Sequence, residues 1–412
     1  MNTGFNFFSK TLVNELIPQE YELMPNVADI FELEFALSEL DLLTDNELIQ
    51  RSAFIGKVNG KETNHFKIGL ASTQDIYNKK SIRTRSFFKR GRFSTGYAVH
   101  SLFPYRGKFH AQLIKAVINV IGLEPGNVLL DPMMGSGTAC IEAQLMGIDS
   151  IGYDKSPFCY LMAFAKSQAI THKSDVLQRA LNNIGETSDF IKKFKGNSNL
   201  LDIFSVERLV VVLAYLDAMG YARRSASKEM NITFPEVLDR YNQTIMRFWS
   251  LQEELNITIG KGTFGIADAR KLPLPDDTVD GIVTSPPYSF AIDYINNDLP
   301  QLEFMGVDVD SLRDDLIGLR GGRRKADRIN AYLEDIKVML SEMARVLKPG
   351  RYCVVIIGSN EIQTDGIRFE KEIENFAPGC GFSLEKSMPK PIRGIQNSMT
   401  EEFVLFMNKV ST

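Results

Sequence analysis

The chain has 412 residues, 44% of them hydrophobic and 24% charged, with a formal net charge of −4. That length admits one large α/β domain with an appended region, or two domains, and the composition excludes a disordered or fibrous chain. The slight acidity also excludes nucleic-acid binding through overall charge, so any basic surface has to be local.

The first residues, Met1-Asn-Thr-Gly-Phe-Asn-Phe-Phe8, lack the basic-then-apolar pattern of a secretory signal, and no apolar run is long enough to span a bilayer. A cytoplasmic protein with no membrane partner is expected. Residues 1–93 read as an N-terminal extension. Its first part is acidic from Glu15 to Glu47, but Leu33, Phe35, Leu37, Leu40, Leu42 and Leu43 recur between the acids, which predicts a folded segment. Charge then reverses. Lys79 to Lys115 contains Arg90, Arg92, Arg106 and Lys108 among other basic residues and no acidic one, with Phe87, Phe88, Phe93, Tyr97, Phe103 and Tyr105 interleaved. Such a mixture suits a phosphate backbone and unstacked bases. A solvated basic face whose aromatics pack inward explains it equally well.

Residues 94–155 carry the densest signal. A helix is predicted over His110–Val120, and Pro125-Gly126 turns the chain into Val128–Leu130, a buried parallel strand ending in Asp131. A tight turn with Gly135 and Gly137 leads into a helix over Thr138–Met146, closed at Gly147. Ser150–Tyr153 is a second strand, ending in Asp154. The glycines let a ligand lie against main-chain N–H groups, and an acid placed like Asp154 accepts from ribose hydroxyls. The third glycine of a dinucleotide fingerprint is missing, as is the Gly-Lys-Ser/Thr of a triphosphate site. Asp131, just before the turn, would repel a pyrophosphate but can accept from an ammonium. The pattern therefore favours S-adenosylmethionine over a dinucleotide.

Residues 156–258 are helical in pattern, clearest over Arg208–Met219 and Phe234–Leu255, and read as an insertion that either recognises a target or adds core. The last part, residues 259–412, resumes with a strand over Thr263–Ile266, followed by Asp268, placed to accept from an adenine amino group. Val279–Thr284 is the next strand. Residues 293–328 read as a long polar connection containing Arg320, Arg323 and Arg324 as anion contacts. A helix over Tyr332–Leu347 and strands over Arg351–Ile357 and Glu402–Met407 complete the pattern. The four cysteines (Cys140, Cys159, Cys353 and Cys380) are scattered and predict buried, reduced thiols, with no metal site.

Ser285-Pro-Pro-Tyr288 caps the strand ending at Thr284. Two prolines fix the backbone and remove two N–H donors, leaving carbonyl acceptors beside a hydroxyl and a flat ring. An exocyclic amino group conjugated with its base is a poor nucleophile. Acceptors for its hydrogens, Ser285 Oγ and the Pro286 carbonyl, draw the nitrogen towards tetrahedral geometry while Tyr288 stacks on the base.

Asp131-Pro-Met-Met-Gly-Ser-Gly-Thr138 and Thr284-Ser-Pro-Pro-Tyr288 resemble the cofactor and catalytic motifs of the exocyclic-amino DNA methyltransferases, which make N4-methylcytosine or N6-methyladenine. Phe103-Pro-Tyr-Arg-Gly-Lys-Phe-His110 resembles their segment upstream of the cofactor motif. The resemblance implies a Rossmann-like class I methyltransferase α/β fold with a mostly parallel sheet and an antiparallel last strand. It implies that Asp131, Gly135 and Gly137 hold the methionine part of S-adenosylmethionine, Asp154 the ribose and Asp268 the adenine. Lys108, Met133 and Thr138 are further cofactor residues, and Ser285, Pro286, Pro287 and Tyr288 hold the target base. Met133 stands where the family usually has Phe, and Ser ahead of Pro-Pro-Tyr is commoner in its cytosine-N4 group.

Double-stranded, sequence-specific DNA and a cognate restriction endonuclease are the partners so implied, with Arg90, Arg92, Arg106, Arg320, Arg323 and Arg324 as DNA contacts. No cysteine follows a proline at the catalytic strand tip, so direct transfer to a flipped base is expected rather than a covalent intermediate. The competing readings are an adenine-N6 DNA methyltransferase, a tRNA guanine-N2 methyltransferase and an inactive nucleic-acid-binding protein. The oligomeric state stays open.

Overall fold

Alternating acidic and apolar residues in the N-terminal extension fold into a small α/β layer: β1 (Tyr21–Leu23), α1 (Ile30–Leu42), α2 (Asp45–Arg51), β2 (Ile55–Val58), β3 (Lys61–Glu62) and α3 (Asn64–Lys79). In this computed structural model residues 13, 15–79, 96–105, 109–197, 205–224, 229–287, 293–321, 324–358, 364–392 and 401–410 are described. Asp29 with Glu32 and Thr44 with Glu47 form reciprocal capping boxes that start α1 and α2, so part of the acidity is helix-start chemistry. Phe31, Phe35 and Phe54 share one apolar core with Val283, Val354 and Phe406 of the main sheet. Glu39, fully buried, accepts from the Ala53 and Phe54 N–H groups and from Asn119. The extension is thus built onto the sheet.

The main sheet contains β4 (Val128–Asp131), β5 (Asp149–Asp154), β6 (Gly262–Ile266), β7 (Val279–Thr284), β8 (Leu347–Ile357), β9 (Phe382–Pro391) and β10 (Glu401–Lys409), in the spatial order β6-β5-β4-β7-β8-β10-β9. Strands β4 to β8 run parallel, and β10 runs antiparallel to both its neighbours. The strands foreseen from apolar runs are all present. β9 was not foreseen; it is an edge strand whose Pro389 and Pro391 mask its pattern. Strand order reverses beside β4, because β5 lies to one side and β7 to the other. In a doubly wound sheet the ligand crevice opens there, beyond the carboxyl ends of the strands.

Helices α4 (Ala111–Val120), α5 (Thr138–Leu145) and α6 (Pro157–Thr171) cover the sheet around the crevice. Ser156 caps α6 by accepting from the Cys159 N–H, with Pro157 in the first turn. α6 packs on β5 and β6, so the first helix of the predicted insertion belongs to the sheet layer. Beyond it, α7 (Val176–Asn182), α8 (Ile184–Lys192), α9 (Val206–Arg224) and α10 (Met230–Leu255) pack on one another. Among the described residues no helix is long and apolar enough to cross a membrane.

The expected polar connection after the catalytic strand is largely helical: α11 (Tyr294–Phe304) and α12 (Val309–Asp315) occupy it, and α13 (Lys325–Val346) starts before the expected Tyr332. Asp293 and Asp308 cap α11 and α12 by accepting from the Asn296 and Ser311 N–H groups. Pro300 inside α11 and the run of polar residues concealed a helix that buries only Ile295, Leu302 and Phe304 as large apolar side chains. α14 (Phe369–Phe376) packs against α13. All four cysteines are buried and unbridged, as expected.

Candidate active site at the strand-order reversal

Asp131 ends β4 fully buried. Its Oδ1 accepts from Thr284 Oγ1 at 2.8 Å and from the Met133 N–H at 3.2 Å, while its buried Oδ2 has no partner among the described residues. Burial pushes its carboxyl up to about 7. Thr284 is the last residue of β7 and directly precedes Ser285. One hydrogen bond therefore ties the two motifs that sequence had separated by some 150 residues.

The two glycines of the turn have different duties. Gly135 and Gly137 have φ of 49° and 78°. A Cβ at Gly137 would stand 2.7 Å from Ala163 Cβ, so this glycine lets α6 approach. A Cβ at Gly135 would meet only Tyr105 Cε1 at 3.7 Å, so this glycine opens the backbone to the crevice. Thr138 begins α5, its hydroxyl 3.1 Å from Ser136 Oγ. Asp154, ending β5, accepts from the Gly135 N–H at 2.9 Å and from the Ser156 N–H at 2.8 Å. Asp154 is thus the clamp on the glycine turn.

A cavity of about 1060 Å³ lies over these strand tips, lined by Met133, Gly135, Asp154, Asp268, Ser285 and Pro287 among others. That volume includes space open to solvent, and it joins both motifs in one crevice. Asp131 and Pro286 are buried beneath this lining. The Pro287 carbonyl accepts from Tyr332 Oη at 3.1 Å, which anchors the catalytic turn to α13.

Asp268 differs from its sequence reading. Its Oδ1 accepts from the Arg270 N–H and Nε, both at 2.9 Å, and its Oδ2 from Arg270 Nη2 at 2.6 Å and Lys155 Nζ at 3.0 Å. Although burial opposes it, Arg270 and Lys155 hold the carboxyl well below its ordinary range. Its acceptor positions are filled, so an adenine amino group would have to compete for them. Arg320 is already engaged within the chain: its Nε donates to the buried Asp335 at 2.6 Å, in a network that runs through Arg270. Arg324 is exposed at the start of α13. Lys115, from the basic segment, is buried with its Nζ 3.3 Å from Glu142, and Tyr97 and Phe103 pack inward. Burial would raise Glu142, but Lys115, His100 and Tyr97 draw it down to about 2. Arg90, Arg92, Arg106, Lys108, Tyr288 and Arg323 lie outside the described residues.

Asp298 on α11 was not singled out in the sequence, because its segment read as a connection. It lines the cavity 7% exposed, and burial together with the Asp154 charge pushes its carboxyl up to about 7. The signal was its spacing: Tyr294 and Ile295, one helical turn earlier, line the same cavity. The bare backbone at Gly135 and the carboxylates that line the cavity fit a cationic nucleoside such as S-adenosylmethionine better than an anionic dinucleotide.

The sheet order and the strand-tip site define an α/β Rossmann-like protein of the class I methyltransferase type. Residues 101–201 match the RMKL-like methyltransferase domain family, and residues 279–410 match the N6/N4-type DNA methylase family. The chain is 23% identical over 309 residues to the Type II methyltransferase M.BsoBI of Geobacillus stearothermophilus, covering 60% of this chain and 59% of that protein. It is 31% identical over 161 residues to the Type II methyltransferase M.MjaII of Methanocaldococcus jannaschii, covering 37% and 27%. This chain thus spans only part of the length of the curated relatives it matches. Among solved structures, a SAM-dependent methyltransferase from Methanosarcina mazei aligns at 13% identity and a TM-score of 0.33, covering 70% of this chain and 94% of that one, too loose a likeness to argue from. These matches support an exocyclic-amino (N6/N4) DNA methyltransferase family, and with it S-adenosylmethionine as the cofactor.

Proposed function

We propose that this protein transfers a methyl group from S-adenosylmethionine to an exocyclic amino group of DNA, cytosine N4 before adenine N6. The observation that carries the reading is the Thr284–Asp131 hydrogen bond, which holds Ser285 at the rim of the cavity formed by the glycine turn. Bound S-adenosylmethionine supplies an electrophilic methyl group there. Ser285 Oγ and the Pro286 carbonyl accept the amino hydrogens of the target base, Pro287 keeps the turn rigid, and Tyr288 stacks on the ring. Met133, Gly135, Thr138 and Asp154 surround the donor, and Lys108 is assigned to it from its place in the sequence. A base within a duplex cannot reach such a pocket, so base flipping follows.

Cytosine is placed first because Ser, not Asp, precedes Pro-Pro-Tyr. Two relatives bear the name Type II methyltransferase, which supports sequence-specific double-stranded DNA as substrate, a cognate endonuclease as partner and a cytoplasmic role in restriction and modification. Arg90, Arg92, Arg106, Arg323 and Arg324 are the proposed backbone contacts. The test is incubation with labelled S-adenosylmethionine and either mixed-sequence DNA or total tRNA, followed by nucleoside mass spectrometry. N4-methylcytosine is expected. N6-methyladenine would move the base, and label confined to tRNA guanosine would refute the DNA reading.

A further inference from the structure

Four carboxylates line the cavity: Asp154, Asp268, Asp298 and Asp315. Asp268 and Asp315 are neutralised by Lys155 and Arg270. Asp154 gives its two oxygens to the N–H groups of Gly135 and Ser156. Asp298 is different. Among the described residues no ion pair is made to it; Tyr105 lines the same cavity, and burial together with the negative Asp154 raises its carboxyl. Cys159, also beside it, is a neutral thiol raised well above its ordinary value by burial. An ionised carboxylate that deep is costly without a counter-charge, and the described residues of this wall supply none.

We propose that Asp298 binds the α-ammonium of the methionine end of the cofactor, an inference that rests on the methyltransferase reading above. An ammonium offers three N–H donors to a carboxylate, whereas a sulfonium offers none. Tyr105, whose ring would lie 3.7 Å from a Cβ at Gly135, lines the cavity together with Asp298, so the acid and the bare backbone of the turn face one space. Asp131, which sequence had placed on the ammonium, lies fully buried beneath the lining and positions Thr284 instead.

The test is titration calorimetry of the full chain with S-adenosylmethionine, S-adenosylhomocysteine and 5′-methylthioadenosine, for the wild type and for Asp298→Asn and Asp298→Glu. Thermal melting checks that each variant is folded. Asp298→Asn should weaken the first two ligands equally, by roughly tenfold to a hundredfold, and leave methylthioadenosine, which has no ammonium, unchanged. Asp298→Glu, which keeps the charge, should recover part of the loss. Unchanged affinity for the first two ligands would overturn the inference. Weakening of S-adenosylmethionine alone would assign Asp298 to the sulfonium, and equal weakening of all three would make it structural; either overturns it too. A wild-type chain that binds none of them would instead remove the methyltransferase reading itself.

Discussion

Thr284 Oγ1 donates to Asp131 Oδ1 at 2.8 Å, and this side-chain bond joins the last residues of two adjacent parallel strands. Main-chain pairing aligns the strands, but the hydroxyl fixes the tip where Ser285 emerges. Replacing Thr284 by Val keeps the shape and leaves the buried Asp131 carboxylate with one partner fewer. We expect a loss of about 1–3 kcal/mol in stability, measured by denaturant unfolding, with a fall in turnover as the catalytic turn loosens. Unaltered stability and turnover would show the bond to be incidental.

Ser285→Ala and Tyr288→Ala should separate chemistry from folding. Both proteins should fold and bind S-adenosylmethionine, while Ser285→Ala lowers methyl transfer by about 10²–10³-fold, as loss of an aligned polar group at a reacting centre typically does. Loss of folding would make the Pro-Pro turn a structural device only.

The glycines of the turn predict opposite phenotypes. Gly137→Ala would force a Cβ to 2.7 Å from Ala163 Cβ at a φ of 78°, so it should destabilise the fold by about 2 kcal/mol or more. Gly135→Ala meets nothing closer than 3.7 Å, so it should cost only about 1 kcal/mol of backbone strain while weakening cofactor affinity. Thermal melts and calorimetry on the two variants check the contrast.

Cofactor affinity should depend on pH near neutrality. Burial raises both Asp131 and Asp298 to about 7, so each holds a proton through the mildly acidic range. A cationic ligand prefers the ionised carboxylates. The Kd should therefore rise as pH falls below about 7, and binding near pH 7 should release protons. Burial also raises Asp154, while Tyr105 and Cys159 lie far above this range and stay neutral. Calorimetry in buffers of different ionisation enthalpy would detect the release; a flat profile from pH 6 to 8 would count against it. Without ligand the sign reverses for folding. The contribution of these raised carboxyls to stability is fully present below their unfolded values and is lost progressively as pH rises towards 7.

By itself the sequence determined the strands at the centre of the sheet and both motifs. Buried parallel strands are short apolar runs, and their tips carry turn glycines, prolines and acids whose conformational demands are local. Val128–Leu130, Gly135, Gly137 and Ser285-Pro-Pro-Tyr288 could all be read that way. Only the tertiary structure decided which groups meet. Asp131 and Asp268 both looked like ligand acids; packing buried the first on Thr284 and filled the second with Arg270 and Lys155. Arg320 looked like a free cation and became the partner of Asp335. Asp298, hidden in an apparent connection, was brought to the cavity by a helix whose N-cap is polar and whose apolar face is narrow. A charge carries no sequence mark of its partner, because that partner is set by contacts across the fold rather than along the chain.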